Sequence, residues 1–205
     1  MQLSRTIYII LLFFVPLFSF AQQTTTSTVK VVKVQFTPDY SPSAVLPDTI
    51  YFDPNRPLQW KDYTAKGHSD KYLATTFSSF AYTGNAEQKN DTLWVYLTLQ
   101  VFFVKDESFA SPEAYNSSYS LAHEQLHFDL SRIAAEKFKQ MILNTPMKPD
   151  DYDSYIPYLY LNAFRNMNHL QDQYDDETRH GQNAAEQKKW AEYVSDQLNI
   201  IYGKK

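Results

Sequence analysis

The chemistry of this chain concentrates in Ser120-Leu-Ala-His123-Glu124-Gln-Leu-His127-Phe-Asp129, which contains HExxH inside a stretch with helical character. Positions i and i+4 lie one turn apart on an α-helix, so His123 and His127 stand one above the other and can share one metal ion. Glu124 follows the first histidine, where its carboxylate can sit beside an open coordination position and take a proton from water instead of ligating. A site of this kind needs a third ligand from elsewhere. The close continuation HExxHxxGxxH is absent, because Phe128, Asp129, Ser131 and Arg132 fill that region.

The helix carrying the motif is expected over 118–143. Leu126, Leu130, Ile133, Ala134, Phe138 and Met141 form its apolar stripe, and Asn144-Thr145-Pro146 stops it. Pro149-Asp150-Asp151-Tyr152-Asp153 reads as a turn, since it lacks the glycine and distal glutamate of a calcium loop. A second helix is expected over 154–173, with Pro157 in its first turn. The short connection returns it antiparallel to the first. A third amphipathic helix follows, with Trp190, Val194, Leu198 and Ile201 on its apolar face and Asn183 with Glu186 as a capping box.

Between the second and third helices lies Tyr174-Asp175-Asp176-Glu177-Thr178-Arg179-His180-Gly181, expected as a loop folding back over the first half of the metal helix. His180 is the leading third ligand and Asp175 the alternative. His169 can simply pack within its helix, and Glu177 has suitable chemistry but can equally orient a ligating imidazole. His68 sits in loop chemistry and is assigned no role.

The N-terminal half reads as strands. Val29–Phe36, Thr49–Phe52 and a patch at Leu58-Gln-Trp60 precede two longer candidates, Ala74–Thr83 and Asp91–Lys105, joined by the polar segment 84–90. In the last strand Leu93, Val95, Leu97, Leu99 and Val101 alternate with Trp94, Tyr96, Thr98, Gln100 and Phe102, so both faces are substantially covered. It is either central or, if at an edge beside the metal helix, able to pair with an extended peptide. The fold class is α+β: an N-terminal, mostly antiparallel sheet packed with a C-terminal group of three helices carrying the HExxH site.

Residues 1–21 read as a secretory signal peptide, in which Arg5 precedes the apolar run Ile7–Phe20 and Ala21 marks the cleavage point. The run is short for a bilayer span and Pro16 interrupts it, so no stable membrane anchor is expected after cleavage. Residues 22–28 form a flexible polar leader and 29–205 a single domain. There is no cysteine, hence no disulfide and no lipid attachment, and the expected location is secreted or periplasmic. Cleavage lowers Lys plus Arg from 19 to 18 against 23 Asp plus Glu, moving the net charge from −4 to −5, so nucleic acid is not an expected partner. The expected partner is a peptide or protein substrate, and nothing in the pattern sets an oligomeric state.

HExxH on a long helix, followed roughly fifty positions later by Tyr174-Asp175-x-x-Thr178-x-His180-Gly181, resembles a family of predicted secreted bacterial zinc-dependent proteases built on an otherwise uncharacterised domain. Trp190 and Leu58-Gln-Trp60 agree more loosely, and the likeness spans most of the chain after the leader. The resemblance implies a zincin-like metallopeptidase with Zn2+ held by His123, His127 and His180, and Glu124 as general base. A neutral histidine triad leaves zinc positively charged, lowering the pKa of a bound water to about 7 and polarising a peptide carbonyl. Tyr174 is the candidate for stabilising the developing oxyanion. Asp175, Thr178 and Asp129 are candidates for supporting the ligands, Asp175 by orienting an imidazole. The alternative is a non-catalytic secreted or surface protein that holds a metal for binding or assembly. Against it stands Glu124, because a structural zinc site fills the position that the base would leave to water.

Overall fold

The computed structural model describes residues 28–37, 46–67 and 72–203. The signal-peptide reading, nearly all of the leader, and His68 lie outside the described residues.

The sheet is built around β5 (Thr92–Val104), which pairs on both edges. β4 (Ser78–Lys89) runs antiparallel along its whole length, from Lys89 opposite Thr92 to Ser78 opposite Phe103. On the other edge β1 (Val31–Phe36) lies parallel to the first half, and β2 (Thr49–Tyr51) antiparallel to the end. β5 is therefore central, and the edge available to a peptide is not its own. The hairpin is tighter than expected: 84–89 continues the strand and only Asn90 and Asp91 turn, Asn90 at φ 57°. These polar residues extend because β5 offers a full ladder of partners. Gly84 sits within it because a Cβ would lie 2.7 Å from Leu97 Cδ2 and 2.8 Å from the Tyr96 carbonyl.

A two-stranded ribbon, β3 (Ala74–Thr75) with β6 (Phe109–Ala110), stands apart from the main sheet. Leu58-Gln-Trp60 is not a strand. Trp60–Asp62 is a 3-10 turn, closed by the Gln59 N–H donating to Asp62 Oδ2 at 2.8 Å, and the buried Asp62 is paired with Arg56 at 2.8 Å.

Three helices follow: α1 (Ser118–Leu143), α2 (Tyr152–Thr178) and α3 (Ala184–Tyr202). Ser117 caps α1 by accepting from the Ser120 N–H, and Asn183 caps α3 by accepting from the Glu186 N–H. α1 is buried on two sides. Phe128, Phe138 and Ile142 join Phe80 and Phe103 of the sheet in one apolar cluster, which also takes Ile156, Leu159 and Met167 of α2. Leu126, Leu130 and Ile133 meet Tyr174, Trp190 and Val194 in a second. An HExxH helix clamped between a sheet and two helices has little freedom to move its histidines.

α2 differs from expectation at both ends. It begins at Tyr152, so Pro157 falls in the second turn. Pro157 has no N–H to offer the Asp153 carbonyl, which belongs to an exposed residue. It also runs on to Thr178, which makes Tyr174 and Asp175 part of its last turns and not of a loop. Thr178 Oγ1 donates to the Tyr174 carbonyl at 2.7 Å, and the His180 N–H donates to the Asp175 carbonyl at 2.8 Å, closing the helix end. Among the described residues no helix is long and apolar enough to cross a membrane.

Candidate metal centre

His123 and His127 project from one face of α1 with ring centroids 5.0 Å apart and planes at 87°. Both Nε2 atoms converge on a single oxygen: Asp175 Oδ1 lies 3.2 Å from His123 Nε2 and 3.1 Å from His127 Nε2. The three donor atoms fall within 4.8 Å of one another, a group that can hold a metal ion. Asp175 reaches it because α2 returns antiparallel beside α1 and continues past residue 173.

The other nitrogen of each ring is spoken for. His123 Nδ1 lies 2.9 Å from Gln187 Oε1 and 2.8 Å from the Tyr174 hydroxyl, and His127 Nδ1 pairs with Gln171 Oε1. With each Nδ1 donating, neutral imidazoles turn two bare lone pairs and a carboxylate oxygen towards one small space. That space calls for positive charge. Burial works to lower the pKa of His127, yet the Asp175 hydrogen bond and the charges of Glu124 and Asp175 outweigh it and the pKa is raised. Burial opposes ionisation of Asp175 too, but its bonds to His123 and His127 hold it well below the usual carboxylate range. A metal ion binding there competes with protons for the same lone pairs.

Glu124 is 6% exposed, and its Oε2 accepts from Thr76 Oγ1 at 2.7 Å. Since that hydroxyl donates to the carboxylate, it accepts from the Tyr63 hydroxyl 2.9 Å away. Glu124, His123, His127 and Asp175 all line a pocket of about 440 Å3, whose wall also includes Tyr72, Leu73, Thr75, Tyr119 and His180. The volume suits a small ligand or one or two side chains of a larger one.

His180 stands beside the donor group and outside it. Its Nδ1 is 3.4 Å from Asp175 Oδ2, on the far oxygen from the one the two imidazoles share, and its half-exposed ring rests against Tyr72 at 4.6 Å. The compact set is thus His123, His127 and Asp175. His169 is exposed on α2, and Glu177 accepts from Trp190 Nε1 at 2.8 Å, tying α2 to α3.

Tyr174 is fully buried and does not line the pocket. Its ring stacks on His123 at 4.7 Å and 24°, and its hydroxyl sits at Nδ1, the side of the imidazole away from the shared space. The expected contact with a substrate oxyanion is therefore out of reach, and the hydroxyl instead holds His123 in place. Thr178, also fully buried, accepts from the Gly181 N–H at 3.3 Å and so fixes the turn after α2. In that turn Arg179, His180 and Gly181 all have positive φ, 52°, 52° and 79°. Gly181 packs against His123, where a Cβ would stand 3.3 Å from Cγ. Asp129 does not support the ligands. Two positions beyond His127 it points about 200° around the helix. There it accepts from Gln125 Nε2 at 2.8 Å, in a cleft between residues 52–57 and α3.

Four contributors escaped the sequence reading. Gln171 sits four residues before Asp175, a signal visible once 174–178 is helical; Gln187 lies in the first turn of α3, with nothing local to mark it. Thr76 and Tyr63 meet Glu124 only through the tertiary fold.

No family model, curated protein or solved structure matches the chain. The likeness to secreted zinc-dependent proteases therefore rests on its motif residues alone.

Proposed function

We propose that the protein is a metal-dependent hydrolase, most specifically a secreted zinc peptidase, with His123, His127 and Asp175 holding the ion and Glu124 as general base. The observation that carries this reading is the convergence of two Nε2 atoms and one carboxylate oxygen beside a buried glutamate, on the wall of an open pocket. Two imidazole nitrogens and one carboxylate oxygen are a donor set that zinc accepts, and three protein ligands with an open side are the catalytic pattern, not the closed structural one. Bound there, the ion would supply Lewis acidity, polarising a carbonyl and acidifying water.

The chain's own residues supply the rest. Asp175 contributes one negative charge to the site and Glu124 a second, available to accept a proton because it is not needed as a ligand. Thr76 holds that carboxylate on the pocket side through its bond to Oε2. The ribbon residues Leu73 to Thr75 and the helix residue Tyr119 bound the space a substrate enters. The test is hydrolysis of an unstructured protein by the zinc-loaded mature chain, compared with Glu124→Gln. We expect cleavage by the wild type and none by a variant that retains its zinc; equal turnover removes Glu124 from the mechanism.

A further inference from the structure

We propose that Gln171 and Gln187 are positioning residues that lock His127 and His123 in the Nδ1–H tautomer, and thereby keep both Nε2 lone pairs free for a cation. The inference rests on the metal reading of the site, but not on peptidase activity.

A neutral imidazole carries its proton on one nitrogen, and the partner of the other nitrogen decides which. For His127 the partner's orientation is fixed independently of the ring. Gln171 Nε2 donates to the His127 carbonyl at 3.0 Å and to Ser131 Oγ at 3.2 Å. A carbonyl can only accept, so the amide nitrogen must face it, and Oε1 is left for Nδ1. Nδ1 must then donate. Ser131 is itself fully buried and bonded to Ser78 Oγ of β4 at 2.9 Å, which anchors the amide to the sheet as well as to α1.

His123 is locked by a second route. Gln187, 5% exposed, brings Oε1 to 2.9 Å from Nδ1 and to 2.8 Å from the Tyr174 hydroxyl. A carboxamide oxygen has two lone pairs, one for the Nδ1–H and one for the tyrosine O–H. The ring is held flat against Tyr174 while this happens. Both histidines are therefore aimed by neutral amides, one from each of two different helices. A carboxylate partner would draw the Nδ1 proton and add negative charge; an amide fixes the tautomer without doing so.

If Gln171 is lost, the buried Nδ1–H of His127 has no acceptor, and the proton gains by moving to Nε2, where Asp175 Oδ1 waits. That proton occupies the metal's place. The experiment uses the 15N-histidine-labelled full mature chain, metal-free, with spectra followed into the alkaline range until the ring signals stop changing, so that the neutral tautomers are read. Long-range 1H–15N correlations report which ring nitrogen is protonated, and competition with a chelating dye gives the zinc Kd. We expect Nδ1–H in both rings of the wild type. In Gln171→Leu, His127 should shift towards Nε2–H and the zinc Kd should weaken about 10- to 100-fold. Gln171→Glu, which keeps an acceptor at Oε1, should retain the Nδ1–H form.

An Nε2–H form in either wild-type ring overturns the proposal whatever the variants do. So does a Gln171→Leu protein with a lower melting temperature but unchanged tautomer and zinc affinity, which is the signature of a merely structural residue. Nδ1–H rings in a wild type that takes no zinc would uphold the lock and contradict the hydrolase reading.

Discussion

His127 Nε2 and Asp175 Oδ1 stand 3.1 Å apart although 48 positions of chain separate them. The distance depends on two helices meeting: α1, clamped between sheet and α3, and α2, which keeps its helical course for five residues past the point where a loop was expected. The donor group exists because α2 does not stop early.

The hold on Glu124 predicts a kinetic effect without a metal effect. Thr76→Val preserves shape but removes the hydroxyl that donates to Oε2. A hydrogen bond to a charged group is worth about 1.5–3 kcal/mol, so hydrolysis should fall roughly 10- to 100-fold. Zinc content should stay at the wild-type level. Turnover within twofold of the wild type would show that Glu124 does not need this hydroxyl.

Gly181 is required twice over, by its φ of 79° and by its contact with His123. A left-handed conformation costs a non-glycine residue about 1–2 kcal/mol, and the added Cβ must push on the imidazole or on the turn. Gly181→Ala should therefore lower thermal stability and weaken zinc retention together. Loss of stability with zinc affinity intact would mean that the turn yields and the histidine does not.

Asp129 predicts a pH dependence remote from the metal. Burial raises its pKa from 3.8 to about 6, against a smaller lowering by the Gln125 hydrogen bond. A carboxyl with a raised pKa in the folded state favours folding while protonated. Its contribution is complete below about pH 4 and is lost as pH rises through about 6. Asp129→Asn should then stabilise the protein by about 3 kcal/mol at pH 7, with the advantage vanishing near pH 4. Chemical denaturation at both pH values checks this, and an equal difference at each would refute it.

The parts of the molecule that were legible in the sequence are those set by local periodicity. α1 has the bounds its apolar stripe and Asn144-Thr145-Pro146 predict, and the α+β order of strands before helices is as read. Where tertiary partners decide, the sequence was silent. The 84–89 segment looks like a loop because it is polar, and becomes strand because β5 supplies its hydrogen bonds. Tyr174-Asp175-Asp176-Glu177 looks like a loop because it is acidic, and stays helical because Tyr174 is buried against His123 and Trp190. That one boundary changed the site. In a loop Tyr174 could face a substrate, whereas on the inner face of α2 it backs the imidazole, and Asp175 takes the position between the two histidines. Gln187 carried no local signal, since its partner lies 64 residues away.

Metal content per chain is the most direct test, measured by elemental analysis on the zinc-reconstituted mature wild type, Asp175→Ala and His180→Ala. A site made by His123, His127 and Asp175 predicts about one zinc in the wild type, little in Asp175→Ala, and near wild-type content in His180→Ala. Zinc retained by Asp175→Ala and lost from His180→Ala would contradict the account and return the third ligand to His180; no zinc in the wild type would remove the metal centre altogether.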